Sequence, residues 1–196
     1  MNHGDPFRIV LVAGFLAFFP VALYFRIRSQ TTREKLDRRQ EGWFILATLR
    51  PVAGFLWLGL FAYMINPAWM AWSAVPLPRW LRWTASAVWI LAAGLFIWTL
   101  YSLGKNLTDT VVTRREHSLV TRGPYRWVRH PFYVCAGLLV FASSVMAANW
   151  FLFAASTVFL ALIVLRTRKE EANLLARFGD DYRAYLERTG RFWPRF

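Results

Sequence analysis

The chain has 196 residues, and its 24 Lys and Arg against 11 Asp and Glu leave a formal charge of +13. Hydrophobic residues make up 57%, above the roughly 45–50% usual for soluble domains, which excludes a disordered chain. The single Cys excludes a disulfide framework and a cysteine-based zinc site.

Four long apolar stretches follow one another. Phe7–Phe25 carries one charge, Arg8; Trp43–Ile65 carries Arg50; Trp80–Leu103 carries Arg82; Pro131–Leu165 carries none. A bilayer-spanning helix needs about 20 apolar residues, so the first three stretches each fit one span. The fourth has room for two short ones, with a tight turn at Ala147, Ala148 and Asn149. The expected fold is therefore all-α: a polytopic helical membrane bundle of about five spans, over 7–25, 43–65, 80–103, 131–147 and 150–166. The first stretch runs straight into Arg26, Arg28 and a charged loop, and reads as a retained span rather than a signal peptide.

The charges supply a topology. Residues 26–42, 104–130 and 166–196 hold twenty of the 24 basic residues, whereas the loops at 66–79 and 147–149 hold only Arg79. Five spans put the three basic segments on one face, which the positive-inside pattern makes cytoplasmic, with the N-terminus outside. The charge of +13 thus finds its explanation in a membrane, and no recognition motif supports a nucleic-acid partner. Residues 66–79, with Pro67, Pro76 and Pro78 beside three Trp, read as an interfacial loop. The tail, about 167–190, has helical spacing with Leu174, Leu175, Phe178, Tyr182, Tyr185 and Leu186 on one face and Gly179 as a local break. It is expected to pack under the bundle or lie on the membrane surface.

Polar groups near spans are costly and mark candidate sites. At Arg50–Pro51 either a kinked helix lets Arg50 line a cavity, or the helix begins near Pro51 and Arg50 snorkels. Residues 117–133 are denser. Pro131 suits a first helical turn, His130 sits at its cap, the open N–H groups there favour an anion, and Gly123–Pro124 turns Tyr125 back towards the helix start. The alternative for this segment is a membrane-interface anchor of Arg, Trp and Tyr. Arg166 and Glu170 share a helix face at i,i+4, either as an interfacial salt bridge or with the carboxylate holding sugar hydroxyls. No GxSxG elbow, HExxH helix or phosphate-binding glycine pattern occurs. His3, His117 and His130 are too scattered for a metal site, and Cys135 reads as a small core hydrophobe.

These pieces carry a likeness. Val111-Val112-Thr113, His117-Ser118-Leu119-Val120, Gly123-Pro124-Tyr125 and Arg129-His130-Pro131-Phe132-Tyr133 come first. Arg166 with Glu170-Glu171 and Leu174, then Phe178-Gly179-Asp180-Asp181-Tyr182 and Gly190-Arg191-Phe192-Trp193-Pro194, complete it. Together they resemble the isoprenylcysteine carboxyl methyltransferase family of integral membrane enzymes. The likeness covers the last 85 residues or so, and the first hundred match mainly in hydropathy. It implies a methyltransferase using S-adenosylmethionine and no metal, with residues 1–110 as a three-span membrane region and residues 111–196 as the cofactor-binding region. It implies a cytoplasmic pocket of Thr113, His117, Ser118, Leu119, Val120, Tyr125, His130, Pro131, Phe132, Tyr133 and Glu170, with Arg166 near the methyl-accepting group. The implied acceptor is a lipid or isoprenoid-linked carboxylate reached among membrane lipids. Phospholipid, amine or small-thiol methylation stands beside it, as do an NADPH-dependent membrane reductase with a similar Arg-His-Pro-x-Tyr element and a non-catalytic scaffold.

Overall fold

The computed structural model describes residues 4–30, 43–104 and 118–195. Five helices make the bundle: α1 (Pro6–Gln30), α2 (Trp43–Ile65), α3 (Arg79–Leu103), α4 (Pro131–Met146) and α5 (Trp150–Arg188). Two short 3-10 helices, Pro67–Ser73 and Gly123–Arg126, sit in the connections. Among the described residues there is no strand, only two isolated bridges, Ala74 with Asn149 and Val128 with Gly190. α4 lies along α3 and against α5; α2 covers α5 and α1 covers α3.

The chain is an integral membrane helical bundle, and its packing shows why these sequences become these helices. α1, α2, α3 and α5 are long and apolar enough to cross a bilayer, and α4 is a shorter apolar helix. Large apolar side chains such as Leu16, Leu58 and Leu91 face outward, as they do where lipid is the solvent. Small residues line the inside: Ala85, Ala92 and Ala93 of α3 share one core with Cys135 and Ala142 of α4, letting the two backbones approach closely. Gly14 of α1 faces the Trp89 ring, which a Cβ there would meet at 2.5 Å. The Trp89 indole donates to Ser143 Oγ at 3.1 Å, so the buried N–H is satisfied. Cys135 is wholly buried as expected, its Sγ 4.0 Å from Thr99 Oγ1.

The turn expected at 147–149 is present and is strongly held. Ala148 adopts a positive φ of 48°. Asn149 caps α5 by accepting from Leu152 N–H at 3.0 Å, and its amide donates to Met70 O and Ser73 Oγ at 3.1 and 2.8 Å. α2 begins at Trp43 as expected and runs through Pro51, so of the two readings of Arg50–Pro51 the helix start near Pro51 falls away, and Arg50 is exposed on the helix surface. One expectation changes. The fifth span does not end near residue 166 but runs on without interruption into the helical tail expected over 167–190, which breaks at Gly179 as expected (φ 52°, ψ −121°) and ends at Arg188. At 1.5 Å per residue the unbroken part, Trp150 to Phe178, measures about 44 Å, about half as long again as the ~30 Å of hydrocarbon. The polar half, from about Arg166 onward, therefore lies beyond the membrane-spanning half.

At the end of the bundle away from that polar half, one arginine ties three helices. Arg82 of α3 donates from Nε and Nη2 to Met146 O at the end of α4 (2.9 and 2.7 Å) and pairs with Asp5 at the start of α1 (2.7 Å). Its guanidinium lies 4.0 Å from the Phe7 ring centre. Asp5 also accepts from Tyr63 of α2 at 3.3 Å. Hydrogen bonds to charged groups contribute about 1.5–3 kcal/mol each when partly buried. Arg82→Ala is expected to lower the unfolding free energy by about 2–3 kcal/mol, read as a fall in the thermal midpoint in detergent. Arg82→Lys recovers only part of it, because an ammonium has no fork to reach both partners.

Candidate active site

The candidate site forms where the start of α4 meets the polar half of α5. The approach is set by the turn at Gly123–Arg126. Gly123 has φ 61°, and a Cβ there would meet Ser102 Oγ of α3 at 2.2 Å, so only glycine lets the turn lie against α3. The turn buries Pro124 and Tyr125, and the Tyr125 carbonyl accepts from the Tyr185 hydroxyl at 2.6 Å. Trp127 and Arg126 stay outside, the guanidinium 3.8 Å from the indole centre.

Glu170 and Glu171 are neighbours on α5 and point about 100° apart, so they serve different neighbourhoods. Glu170 accepts from the Tyr133 hydroxyl of α4 at 2.8 Å. Arg166, one turn earlier on α5, lies within electrostatic reach of the same tyrosine. Burial, followed by the Glu170 carboxylate, pushes the Tyr125 phenol up, which places Tyr125 in the same group. Glu171 is the more buried of the pair. Its Oε1 accepts from Arg129 Nε at 2.9 Å and faces His130 Nε2 at 3.2 Å, and its Oε2 pairs with Arg191. An ionised carboxylate only accepts, so the imidazole presents an N–H at Nε2. Burial alone would raise the Glu171 carboxyl, but the hydrogen bonds from His130, Arg191 and Arg129 hold it well below the usual range. The same contact raises the Arg191 guanidinium. The His130 ring joins the two neighbourhoods, stacked on Tyr133 at 5.6 Å between centres.

The structure therefore gathers Tyr125, His130, Pro131, Phe132, Tyr133, Arg166 and Glu170 around the α4–α5 junction. Ser118, Leu119 and Val120 lead into the turn without regular secondary structure, Ser118 exposed and the other two half-buried. Thr113 and His117 lie outside the described residues. The expected anion-binding helix start is largely used up: Pro131 has no N–H, and the Tyr133 and Val134 N–H groups both donate to His130 O at 3.1 and 3.2 Å. Sequence reasoning singled out Glu170 and passed over the part played by Glu171, Arg129 and Arg191. The signal was the pair itself, since two adjacent carboxylates on a helix cannot share one partner. Tyr182 is buried with its hydroxyl unpaired.

Residues 85–176 match the model of the isoprenylcysteine carboxyl methyltransferase (ICMT) family. The protein-S-isoprenylcysteine O-methyltransferase of Rattus norvegicus is 28% identical over 157 residues, 67% of this chain and 54% of that protein. The nickel-cobalt-cadmium resistance protein NccN of Alcaligenes xylosoxydans xylosoxydans is 30% identical over 114 residues, 58% of this chain and 53% of that protein. Methanethiol S-methyltransferase 1 of Bradyrhizobium diazoefficiens is 37% identical over 70 residues, 36% of this chain and 24% of that protein. The fold resembles the solved structure of the eukaryotic intramembrane Ras methyltransferase ICMT, with a TM-score of 0.60 at 21% identity, over 98% of this chain and 69% of that one. The chain spans about half the length of the first two relatives.

The lowered Glu171 carboxyl makes a pH-dependent contribution to stability. A free Glu titrates at about 4.3, so the contribution is complete above that value and drains away as the pH falls towards the depressed folded value. Glu171→Gln, which cannot titrate, is expected to unfold at a lower temperature than the wild type at pH 7. The gap should close progressively below about pH 4.3; thermal melts between pH 7 and pH 3 measure it, and a pH-independent gap would contradict the assignment.

Proposed function

We propose that this chain, whose residues 85–176 carry the ICMT family's pattern, is an integral membrane methyltransferase. It takes its methyl group from S-adenosylmethionine and passes it to a lipid-like or isoprenoid-linked acceptor, a carboxylate, at the cytoplasmic face. The observation that carries this reading is a coincidence of place. The stretch matched by the family model takes in the α4–α5 junction, where Tyr133 and Glu170 meet at 2.8 Å and Arg166 stands one turn away. The first 110 residues serve as membrane region and residues 111–196 as cofactor region. The N-terminus lies outside, because the opposite face carries twenty of the 24 basic residues.

The residues present fit the cofactor. When bound, S-adenosylmethionine supplies an electrophilic methyl group on a sulfonium, so the protein has mainly to position and desolvate. Glu170, half-buried, offers a carboxylate for vicinal hydroxyls, with Tyr133 holding its other face. Tyr125 and Tyr133 present aromatic rings, which stabilise a cation. Arg166 orients an acceptor carboxylate with a forked donor pair, a geometry an ammonium cannot supply. The apolar outer faces of the helices leave the acceptor's tail in the bilayer.

A small-thiol acceptor is the second reading, favoured by the 37% identity over 70 residues to methanethiol S-methyltransferase 1. The nucleophile is then a thiolate, whose formation a nearby arginine favours.

Calorimetry on the full chain in detergent is expected to show S-adenosylhomocysteine binding, weakened at least tenfold in Glu170→Ala and His130→Ala. Wild-type protein that ignores S-adenosylhomocysteine but binds NADPH would overturn the methyltransferase reading. Arg166→Ala is expected to leave that affinity within about twofold and to lower turnover at least a hundredfold, roughly the scale of a lost charged transition-state contact. Parallel assays with a prenylcysteine analogue and with methanethiol separate a methyl ester product from a thioether.

A further inference from the structure

The C-terminal strap, residues 189–193, is built into the site. Gly190 N–H donates to Trp127 O at 3.3 Å, Arg129 N–H to Gly190 O at 2.9 Å, and His130 N–H to Arg191 O at 3.1 Å. The strap therefore runs parallel to the residues that lead into α4, joined to them through the Val128–Gly190 bridge. A Cβ on Gly190 would meet Trp193 O at 1.7 Å, so the strap turns too tightly there for any other residue. Arg129 Nη1 reaches the carbonyls of Leu186, at 3.3 Å, and Thr189, capping the end of α5. Phe192 sets its ring 5.8 Å from that of His130. The Glu171 carboxylate bridges this seam, contacting Arg129 and His130 on one side and Arg191 on the other.

We infer that Glu171 is a positioning residue: by gripping Arg129, His130 and Arg191 with one carboxylate it clamps the strap shut and fixes the His130 ring against Tyr133. Glu171 acts on the reacting groups only at second hand. The route runs through the imidazole, whose Nε2 it engages, to the ring of Tyr133 and so to the hydroxyl that holds Glu170. A neutral amide of the same shape keeps one acceptor but loses the charge that draws two guanidinium groups together. That the clamped pocket takes a nucleoside sulfonium rests on the methyl-transfer reading; the closure of the strap does not.

The test uses the full chain in detergent, well below its melting temperature. In Glu171→Gln, amide hydrogen exchange across residues 189–193 is expected to accelerate at least tenfold. The 15N imidazole signal of His130, assigned by its loss in His130→Gln, is expected to move, and S-adenosylhomocysteine affinity to fall about tenfold. Glu171→Asp, which keeps the charge, is expected to restore part of all three. Unchanged exchange across the strap, an unmoved His130 signal, or no recovery in Glu171→Asp overturns the clamp. If Glu171→Gln does not purify, Arg191→Ala, at the outer end of the contact, takes its place with the same exchange and imidazole readouts. An opened strap in a protein whose wild type binds no S-adenosylhomocysteine upholds the clamp and overturns the methyl-transfer reading. A closed strap and unmoved imidazole in a variant whose wild type does bind overturns the clamp alone.

Discussion

The shortness of α4 is the constraint from which the rest of the site follows. Its 16 residues span about 24 Å, against about 37 Å for the 25 residues of α3 beside it. Their far ends are held together by Arg82 on the Met146 carbonyl, so the difference appears at the other end, as a recess below Pro131. A recess next to hydrocarbon cannot be left with open backbone groups. The chain fills it with three pieces: the Gly123–Arg126 turn laid on α3, the strap at 189–193, and the polar half of α5. The candidate site is the meeting place of those three. Had α4 been two turns longer, His130 and Tyr133 would lie level with the end of α3, and neither turn nor strap would have anywhere to pack.

Charge is divided between the two ends of the bundle in different ways. At one end a single guanidinium answers a single carboxylate, and the remaining valence goes to a carbonyl. At the other end a carboxylate is outnumbered, with two guanidinium groups and an imidazole around Glu171. The excess of donors explains how a carboxylate so enclosed remains ionised, because the hydrogen bonds outweigh the desolvation that burial imposes. The same excess leaves Glu170 free of that competition and turned towards Tyr133.

The bundle was legible because hydropathy is a one-dimensional signal. The ends of α2, α3 and α4 fall within a residue of where the apolar stretches begin and end, and Asn149 announces the cap of α5 by its type alone. The helical tail and its break at Gly179 were legible too, from the spacing of Leu174, Leu175, Phe178, Tyr182 and Tyr185; what hydropathy hid is that span and tail are one helix, because the apolar average ends at Leu165 while the helical spacing does not. In the site, Tyr125, His130, Tyr133, Arg166 and Glu170 could be gathered from sequence through their motifs. The grip of Glu171 could not, since it depends on Arg191 returning from twenty residues further along, through a helix break and a cap. The alternatives at Arg50 were likewise undecidable without the helix, because the preference of Pro51 for a first turn is as strong as the tolerance of a membrane helix for an internal proline.

α5 also has a mechanical consequence. It is unbroken from Trp150 to Phe178, so the segment exposed to acyl chains and the segment bearing Arg166, Glu170 and Glu171 form one lever. A helix adjusts to a thicker or thinner bilayer by changing its tilt, and with no break before Gly179 a change of tilt in this one would move both segments as a single body.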